Sequence, residues 1–314
     1  MKPCVQCCCP EVAPSSYRSQ CQSKPLFDLR RHRSIEALGH TKPLVKLLSG
    51  SSQCLKPLGG CTGLQHFRSI ACSSMTELPR AAGINSEPSK EVRRIWETAQ
   101  AVCFDVDSTL CEDESIDELA AFLNVGEAVA ALTASAMGGS VLFQDALKAR
   151  LDLMQPSHQD VQRFLASHPP RISQGIPELV KALQGRGCQV FLVSGGFRAI
   201  INPIAAMLGI PQDHVFANTI LFQEDGSFAG FDEKELTSQG GGKASAARLI
   251  KEKYDFSRLV MVGDGATDLE ARQPGGADIF IGYGGVVERP SIASKADWYV
   301  YDIRDLNQAL QSRP

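Results

Sequence analysis

The sequence predicts an α/β protein, a doubly wound parallel sheet with a helical cap inserted after its first strand. Three observations carry this. Short apolar runs at 101–104, 189–193, 259–262 and 278–281 have the length and unbroken hydrophobicity of strands buried on both faces. Helical patterns alternate with these runs, as strand-helix-strand units with parallel strands require. Between the first two runs, residues 105–188 carry helical periodicity and no strand signal, so a layer of helices is expected there.

The chain ahead of the first strand has a different composition from the rest. Residues 1–76 hold ten Lys/Arg against three acids, Glu11, Asp28 and Glu36, and eight of the eleven cysteines. This part is rich in Ser, Arg, Pro and Gly and has neither a continuous apolar stretch nor a sustained period. It reads as a disordered organelle transit peptide over 1–75; an ordinary disordered tail is the alternative. A secretory signal needs an apolar core of about 7–15 residues near the start, and Lys2 to Arg33 contains none. The run Arg68-Ser69-Ile70-Ala71-Cys72-Ser73 resembles a stromal processing site. Chloroplast is therefore preferred to mitochondrion, with cleavage near Ala71 or Cys72. Cys4 and Cys7 have zinc or redox spacing, but no second pair follows them, so they are assigned to the leader.

Residues 77–314 carry a net charge of −10 by difference from the whole-chain −3, which disfavours nucleic acid as a partner. The 43% hydrophobic content is that of a globular chain with a sizeable core. No apolar run approaches the roughly 20 residues a membrane helix needs, so no membrane partner is expected. Oligomeric state is left open, with a homodimer among the options.

Val92, Ile95, Trp96 and Ala99 lie at helical spacing, with Ser89 as N-cap, and lead into the first strand. In the insertion, Ile116, Leu119, Ala120 and Leu123 form one helical face and Val161, Phe164 and Leu165 another; Pro169-Pro170 closes it. A helix over 176–183 returns the chain to the sheet. The Glu224-Asp225-Gly226 turn between alternating apolar residues predicts a hairpin over 221–228. The domains so defined are a core of 76–114 plus 171–314 and a cap of 115–170.

The ends of the apolar runs carry the chemistry. Asp105 and Asp107 follow the first run at i and i+2, which suits one carboxylate to attack phosphorus and the other to act as general acid and base. Alone, such a pair is as readily a solvated turn or a helix cap. Val193-Ser194-Gly195-Gly196 offers a hydroxyl and backbone N–H groups where a helix should begin, a phosphate cradle. Lys243, after three glycines, supplies a point charge. Asp264 and Asp268 follow the third run and add carboxylates for a metal site. Hard oxygen donors of this kind select Mg2+.

Asp-x-Asp-Ser/Thr, a strand-end Ser, a downstream Lys and Gly-Asp-x-x-x-Asp, in that order, resemble the four signature motifs of the haloacid dehalogenase superfamily. The resemblance implies a Rossmann-like core, an aspartyl-phosphate on Asp105, and Mg2+ held by the Asp105 and Asp264 carboxylates and the Asp107 carbonyl, with Asp268 supporting. It sharpens to the phosphoserine phosphatase family, plastid type, through Glu114-Ser115-Ile116-Asp117-Glu118-Leu119, Met137-Gly138-Gly139, Phe143, Arg150, Phe216-Ala217-Asn218 and Ala229-Gly230-Phe231-Asp232. For that family the implied substrate is O-phospho-L-serine, the last intermediate of phosphorylated L-serine biosynthesis. The resemblance implies that Glu114 receives the ammonium and Arg150 the carboxylate. It also implies that Gly138, Ser194, Gly195 and Lys243 contact phosphate, while Met137 and Thr267 line the serine site. Gly138-Gly139 are expected to let the cap flex. The alternatives are a phosphatase of this fold for another small phosphomonoester and a catalytically silent binding protein.

Overall fold

The computed structural model describes residues 84–136 and 142–311. The leader and the expected Met137 and Gly138 contacts, with their hinge, lie outside the described residues. Six parallel strands form one sheet in the order β3-β2-β1-β6-β7-β8. They are β1 (Ala101–Phe104), β2 (Gln189–Phe197), β3 (Val215–Asn218), β6 (Leu259–Gly263), β7 (Ile279–Tyr283) and β8 (Trp298–Val300). The chain winds outward from β1 to β3, crosses back to β6 beside β1, and continues to β8. The order reverses between β1 and β6, the place where open α/β sheets bind ligands beyond the carboxyl ends of their strands.

Side chains alternate across this sheet, and each face has its own core. Val102, Phe104, Val190, Leu192, Val260 and Val262 pack with α1 (Lys90–Glu97), α6 (Ile176–Gly185), α7 (Arg198–Met207) and α11 (Ile303–Gln311). Ala101, Cys103, Phe191, Val193, Leu259 and Met261 pack on the other face with α8 (Gly242–Lys253). Both faces are covered, which is why these runs are continuously apolar instead of alternating. Trp96, fully buried, donates its indole N–H to Leu306 O at 3.1 Å and so joins α1 to α11.

The expected helix and hairpin are present. Ser89 caps α1, its Oγ accepting from Val92 N–H at 3.2 Å. The hairpin pairs β4 (Ile220–Phe222) with β5 (Phe228–Phe231) across a bulge. Between β1 and β2 lie α2 (Ser115–Phe122), α3 (Gly126–Ala136), α4 (Phe143–Met154) and α5 (His158–Ser167). Leu119, Val129, Leu147, Leu151, Val161 and Phe164 give these helices a third core, closed against Phe197 and Ile200. Ser157 and Asp160 cap the start of α5 reciprocally.

The structure corrects the sequence reading in two places. β3 and β8 were not expected; each is a run of four residues or fewer at a sheet flank. The helix expected to begin at Ser194 begins at Arg198, because β2 continues through Phe197 with a register shift beyond Val193. A further contact precedes the helix at Ser89. Tyr299 N–H donates to Asn85 O at 2.8 Å, and Asn85 Nδ2 donates to Ala296 O at 3.1 Å. The Trp298 indole donates to Ser86 O at 3.1 Å. Residues 84–86 thus shield the edge of β8.

Candidate active site

One pocket of about 200 Å³ opens beyond the β1–β6 boundary, and the sequence-predicted residues converge on it. Asp105, Asp107, Glu114, Arg150, Gly195, Lys243, Asp264, Thr267 and Asp268 all line it. Ser194 does not. It is fully buried in β2, and its Oγ accepts from Gly196 N–H at 2.9 Å, so the strand continuation turns its hydroxyl to the backbone of its own motif.

Asp105 directly follows β1, its N–H tied to Val262 O of β6 at 2.9 Å. Its Oδ1 accepts from Val106 N–H at 2.8 Å and pairs with Lys243 Nζ at 2.7 Å. Its Oδ2 has no hydrogen bond among the described residues. The same lysine reaches Asp268 Oδ1 at 2.7 Å. Lys243 stands in the first turn of α8, which follows Gly241 at φ 71°. A Cβ on Gly242 would come within 2.1 Å of Leu236 O, so the tight entry that aims the lysine needs glycine there.

Asp264 and Asp268 follow β6. Asp264 accepts from Thr109 Oγ1 at 3.3 Å and from Arg289 Nε at 2.8 Å. Asp268 lies in α9 (Ala266–Glu270), where its Oδ2 accepts from Gly265 N–H at 3.0 Å. Gly263 permits this packing, since a Cβ there would sit 2.3 Å from Asp268 Cγ.

Burial, and then the carboxylate of Asp268, raise Asp105 well above the ordinary carboxylate range, with Lys243 opposing. Asp268 is raised in the same way by burial. Burial alone would lower Lys243, but Asp105 and Asp268 outweigh it and raise the ammonium above its usual value. Three buried carboxylates crowd this end with oxygens mutually within 4.8 Å: Asp105, Asp264 and Asp268. An all-oxygen set of buried acids, two of them raised in pKa, fits a hard divalent cation, which would relieve their repulsion. The side-chain cluster holds Asp268 where the sequence reading counted the Asp107 carbonyl.

Asp107 occupies the wide turn at 106–110. Its Oδ1 accepts from Ser115 N–H at 2.9 Å and its Oδ2 from Ser115 Oγ at 3.1 Å. Burial lifts it to about 6 against those two hydrogen bonds, with Glu114 adding to the rise. That value suits proton transfer near neutral pH. Ser108, next in the turn, is held in the left-handed region at φ 54°, and its Oγ donates to Glu114 Oε1 at 2.6 Å.

The opposite end comes from the inserted helices. Glu114 precedes α2, and its side chain is 43% exposed. Arg150, on α4, donates through Nε to Ala146 O at 3.1 Å, and no carboxylate among the described residues lies within 4 Å of it. Burial lowers its pKa, with Asp117 and Glu114 opposing. A guanidinium lining a small pocket without an ionic partner suits an incoming anion. Arg289, which the sequence reading missed, contributes a second cation beside Asp264, 3.9 Å from Glu114 Oε1. Its position in the loop after β7, at the carboxyl edge of the sheet, is the signal that points to it.

A family model for haloacid dehalogenase-like hydrolases matches residues 99–276. A chloroplastic phosphoserine phosphatase of Arabidopsis thaliana is 54% identical over 226 residues, 72% of this chain and 77% of that protein. Among solved structures, a phospho-aspartyl intermediate analogue of a phosphoserine phosphatase matches with a TM-score of 0.57 and 29% identity. That match covers 67% of this chain and 98% of the other. The structure of DsGPDH of Dunaliella salina matches with a TM-score of 0.64 and 41% identity over 72% of this chain. The match spans 38% of that longer protein. The chain belongs to the haloacid dehalogenase-like hydrolases and, within them, to the phosphoserine phosphatase family.

Proposed function

We propose that this chain is a Mg2+-dependent phosphomonoesterase that hydrolyses O-phospho-L-serine to L-serine and phosphate. The observation that carries the reading is the two-ended pocket. Buried acids and Lys243 form one end, and Glu114 and Arg150, a carboxylate and a guanidinium with no ion pair among the described residues, form the other. The first end suits a phosphoryl group and the second a zwitterionic amino acid.

In this reading Asp105 Oδ2 attacks phosphorus while the bond from phosphorus to the serine oxygen breaks, and Asp107 gives its proton to that oxygen. An aspartyl-phosphate remains on Asp105. Asp107, now ionised, takes a proton from water as the water attacks phosphorus, which restores Asp105 and releases phosphate. Lys243 balances charge on the transferring group throughout. Asp105 and Asp264, with the Asp107 carbonyl and the support of Asp268, would hold Mg2+. When bound, the cation neutralises non-bridging oxygens and reduces repulsion between the nucleophile and its anionic substrate.

Ser194 and Gly195 contribute to phosphate binding through the backbone of their motif, and Thr267 lines the amino-acid end. Residues 115–170 act as a cap over a core of 76–114 and 171–314, closing to exclude water from the first step. Residues 1–75 direct the chain to the chloroplast stroma, a reading supported by the chloroplastic Arabidopsis relative and by the basic, acid-poor composition.

Phosphate release from phosphoserine by the purified chain, with and without Mg2+, tests the activity. Release that stops with EDTA and returns with Mg2+ is expected. Preference for another small phosphomonoester over phosphoserine overturns the substrate assignment. Fusion of residues 1–80 to a fluorescent protein tests the location, and cytosolic or secreted fluorescence overturns it.

A further inference from the structure

Asp107 stands between two spaces. It lines the pocket of about 200 Å³ described above and also a second cavity of about 560 Å³ on its other side. The second cavity is walled by Phe164 and Leu165 of α5 and by Ile200, Ile201 and Ile204 of α7. A carboxylate that borders two open volumes is packed on only part of its surface, so directional bonds contribute much of what fixes its side-chain torsions. Ser115 supplies those bonds and lies on the side of the larger cavity. Its N–H and its hydroxyl each take a different oxygen of the Asp107 carboxylate, at 2.9 and 3.1 Å.

The placement is tight. Ser115 is 6% exposed, and a Cβ added to Gly196 would come within 2.7 Å of Ser115 Oγ and 3.0 Å of Asp107 Oδ2. The bare backbone of Gly196 therefore lets serine and aspartate meet. Ser115 is also the first residue of α2, the helix that opens the inserted layer. Its N–H is one of the donors that a helix start leaves without an internal partner, and here it is spent on Asp107.

We infer that Ser115 is a positioning residue for Asp107, a two-pronged tether that fixes the orientation of the carboxylate at the edge of the reacting site and ties that orientation to the seating of α2. This rests on the phosphatase reading and adds to it a residue that does not touch substrate. If α2 shifts, both bonds stretch together and Asp107 loses its fixed orientation. A displaced first inserted helix is thereby coupled to a misplaced proton donor.

The test removes the prongs one at a time. Ser115→Ala deletes the hydroxyl and keeps the N–H. Ser115→Pro deletes both, at the first helical position, where proline is best tolerated and where Glu114 already has the extended backbone that a following proline needs. With phosphoserine, kcat should fall roughly 10-fold in the first variant and on the order of 100-fold in the second, near the lower end of what a general acid contributes. The burst of nitrophenolate from p-nitrophenyl phosphate, whose leaving group needs little protonation, should stay close to wild type in both. In an Asp107→Asn background, Ser115→Ala should cost nothing further, because the group it positions is gone.

Equal losses with both substrates, an undiminished effect in the Asp107→Asn background, or no loss in either variant would each overturn the inference. Wild-type chain that fails to hydrolyse phosphoserine would instead overturn the functional reading, so the two failures are told apart.

Discussion

The two ends of the pocket are built differently. At the sheet end Asp105, Asp264 and Asp268 are at most 6% exposed, and each is already engaged by Lys243, Arg289 or a backbone N–H. At the helical end Glu114 is partly exposed and held by a single hydrogen bond from Ser108 Oγ, and Arg150 has no ionic partner among the described residues. The chemical groups are thus pre-organised by the core, which spares the reaction their reorganisation. The recognition groups are held more loosely, and the Arg150 guanidinium is left for a substrate anion to pair. Damage at the sheet end should abolish chemistry, and damage at the helical end should change which substrates are used.

Asp105→Asn is the largest expected effect. Without the nucleophile no aspartyl-phosphate forms, and turnover of every substrate should fall on the order of 10⁴-fold or more. Acid-quenched protein should then carry no phosphate label, and labelling at the wild-type level would remove Asp105 from its role. Arg150→Ala should be selective. Loss of a desolvated partner for the substrate carboxylate costs on the order of 2–4 kcal/mol in kcat/KM with phosphoserine. Substrates without a carboxylate should be little affected; equal losses with p-nitrophenyl phosphate would place Arg150 in support of the phosphate end or the fold.

Two smaller effects separate stability from chemistry. A chain beginning at Ser89 loses the three hydrogen bonds that Asn85 and Ser86 make around β8. At about 1 kcal/mol each before chain entropy is recovered, a net loss near 2 kcal/mol should lower Tm by roughly 4–8 °C. kcat should be unchanged, since β8 is the edge strand farthest from β1 on its side; an unchanged Tm would show that residues 84–86 do not hold the edge.

Ser157→Ala is the smallest. It opens the cap of α5 at a cost of about 1 kcal/mol, or roughly 2–4 °C in Tm. The hydrogen bond from Ser157 is the largest cause holding Asp160 below its ordinary pKa. That contribution is present above the unfolded pKa of Asp160 and is lost as pH falls through its depressed folded value. The wild-type advantage over Ser157→Ala should accordingly shrink in acid, and melts at neutral and acidic pH that differ equally would remove the cap from the account.

The parts of the site that were legible in the sequence are those where strand hydrophobicity stops at a carboxylate. Asp105 and Asp264 stand out because 101–104 and 259–263 are wholly buried runs that end at an acid. β3 and β8 escaped because Val215–Asn218 and Trp298–Val300 are too short for a period to register. The helix start at Ser194 was misplaced because Gly-Gly reads as the start of a turn, whereas the extended chain carries on to Phe197. Arg289, Ser115 and residues 84–86 act through partners distant in sequence or through backbone groups, and no local spacing announces either. The Cβ contact at Gly196 is visible only once β2 and α2 are seen side by side.

The crossing from β3 back to β6 has a consequence for how the protein is made. β1 pairs with β2 on one side and with β6 on the other, and Thr109 meets Asp264 across a separation of 155 residues. At synthesis rates of roughly 5–20 residues per second, the apolar strand 101–104 waits on the order of ten to thirty seconds for its second neighbour. Until then it presents an unsatisfied hydrogen-bonding edge, and no part of the carboxylate cluster beyond Asp105 exists. The nascent chain therefore passes through a long stage in which one edge of β1 is open and the carboxylate cluster is incomplete, well before any substrate could bind.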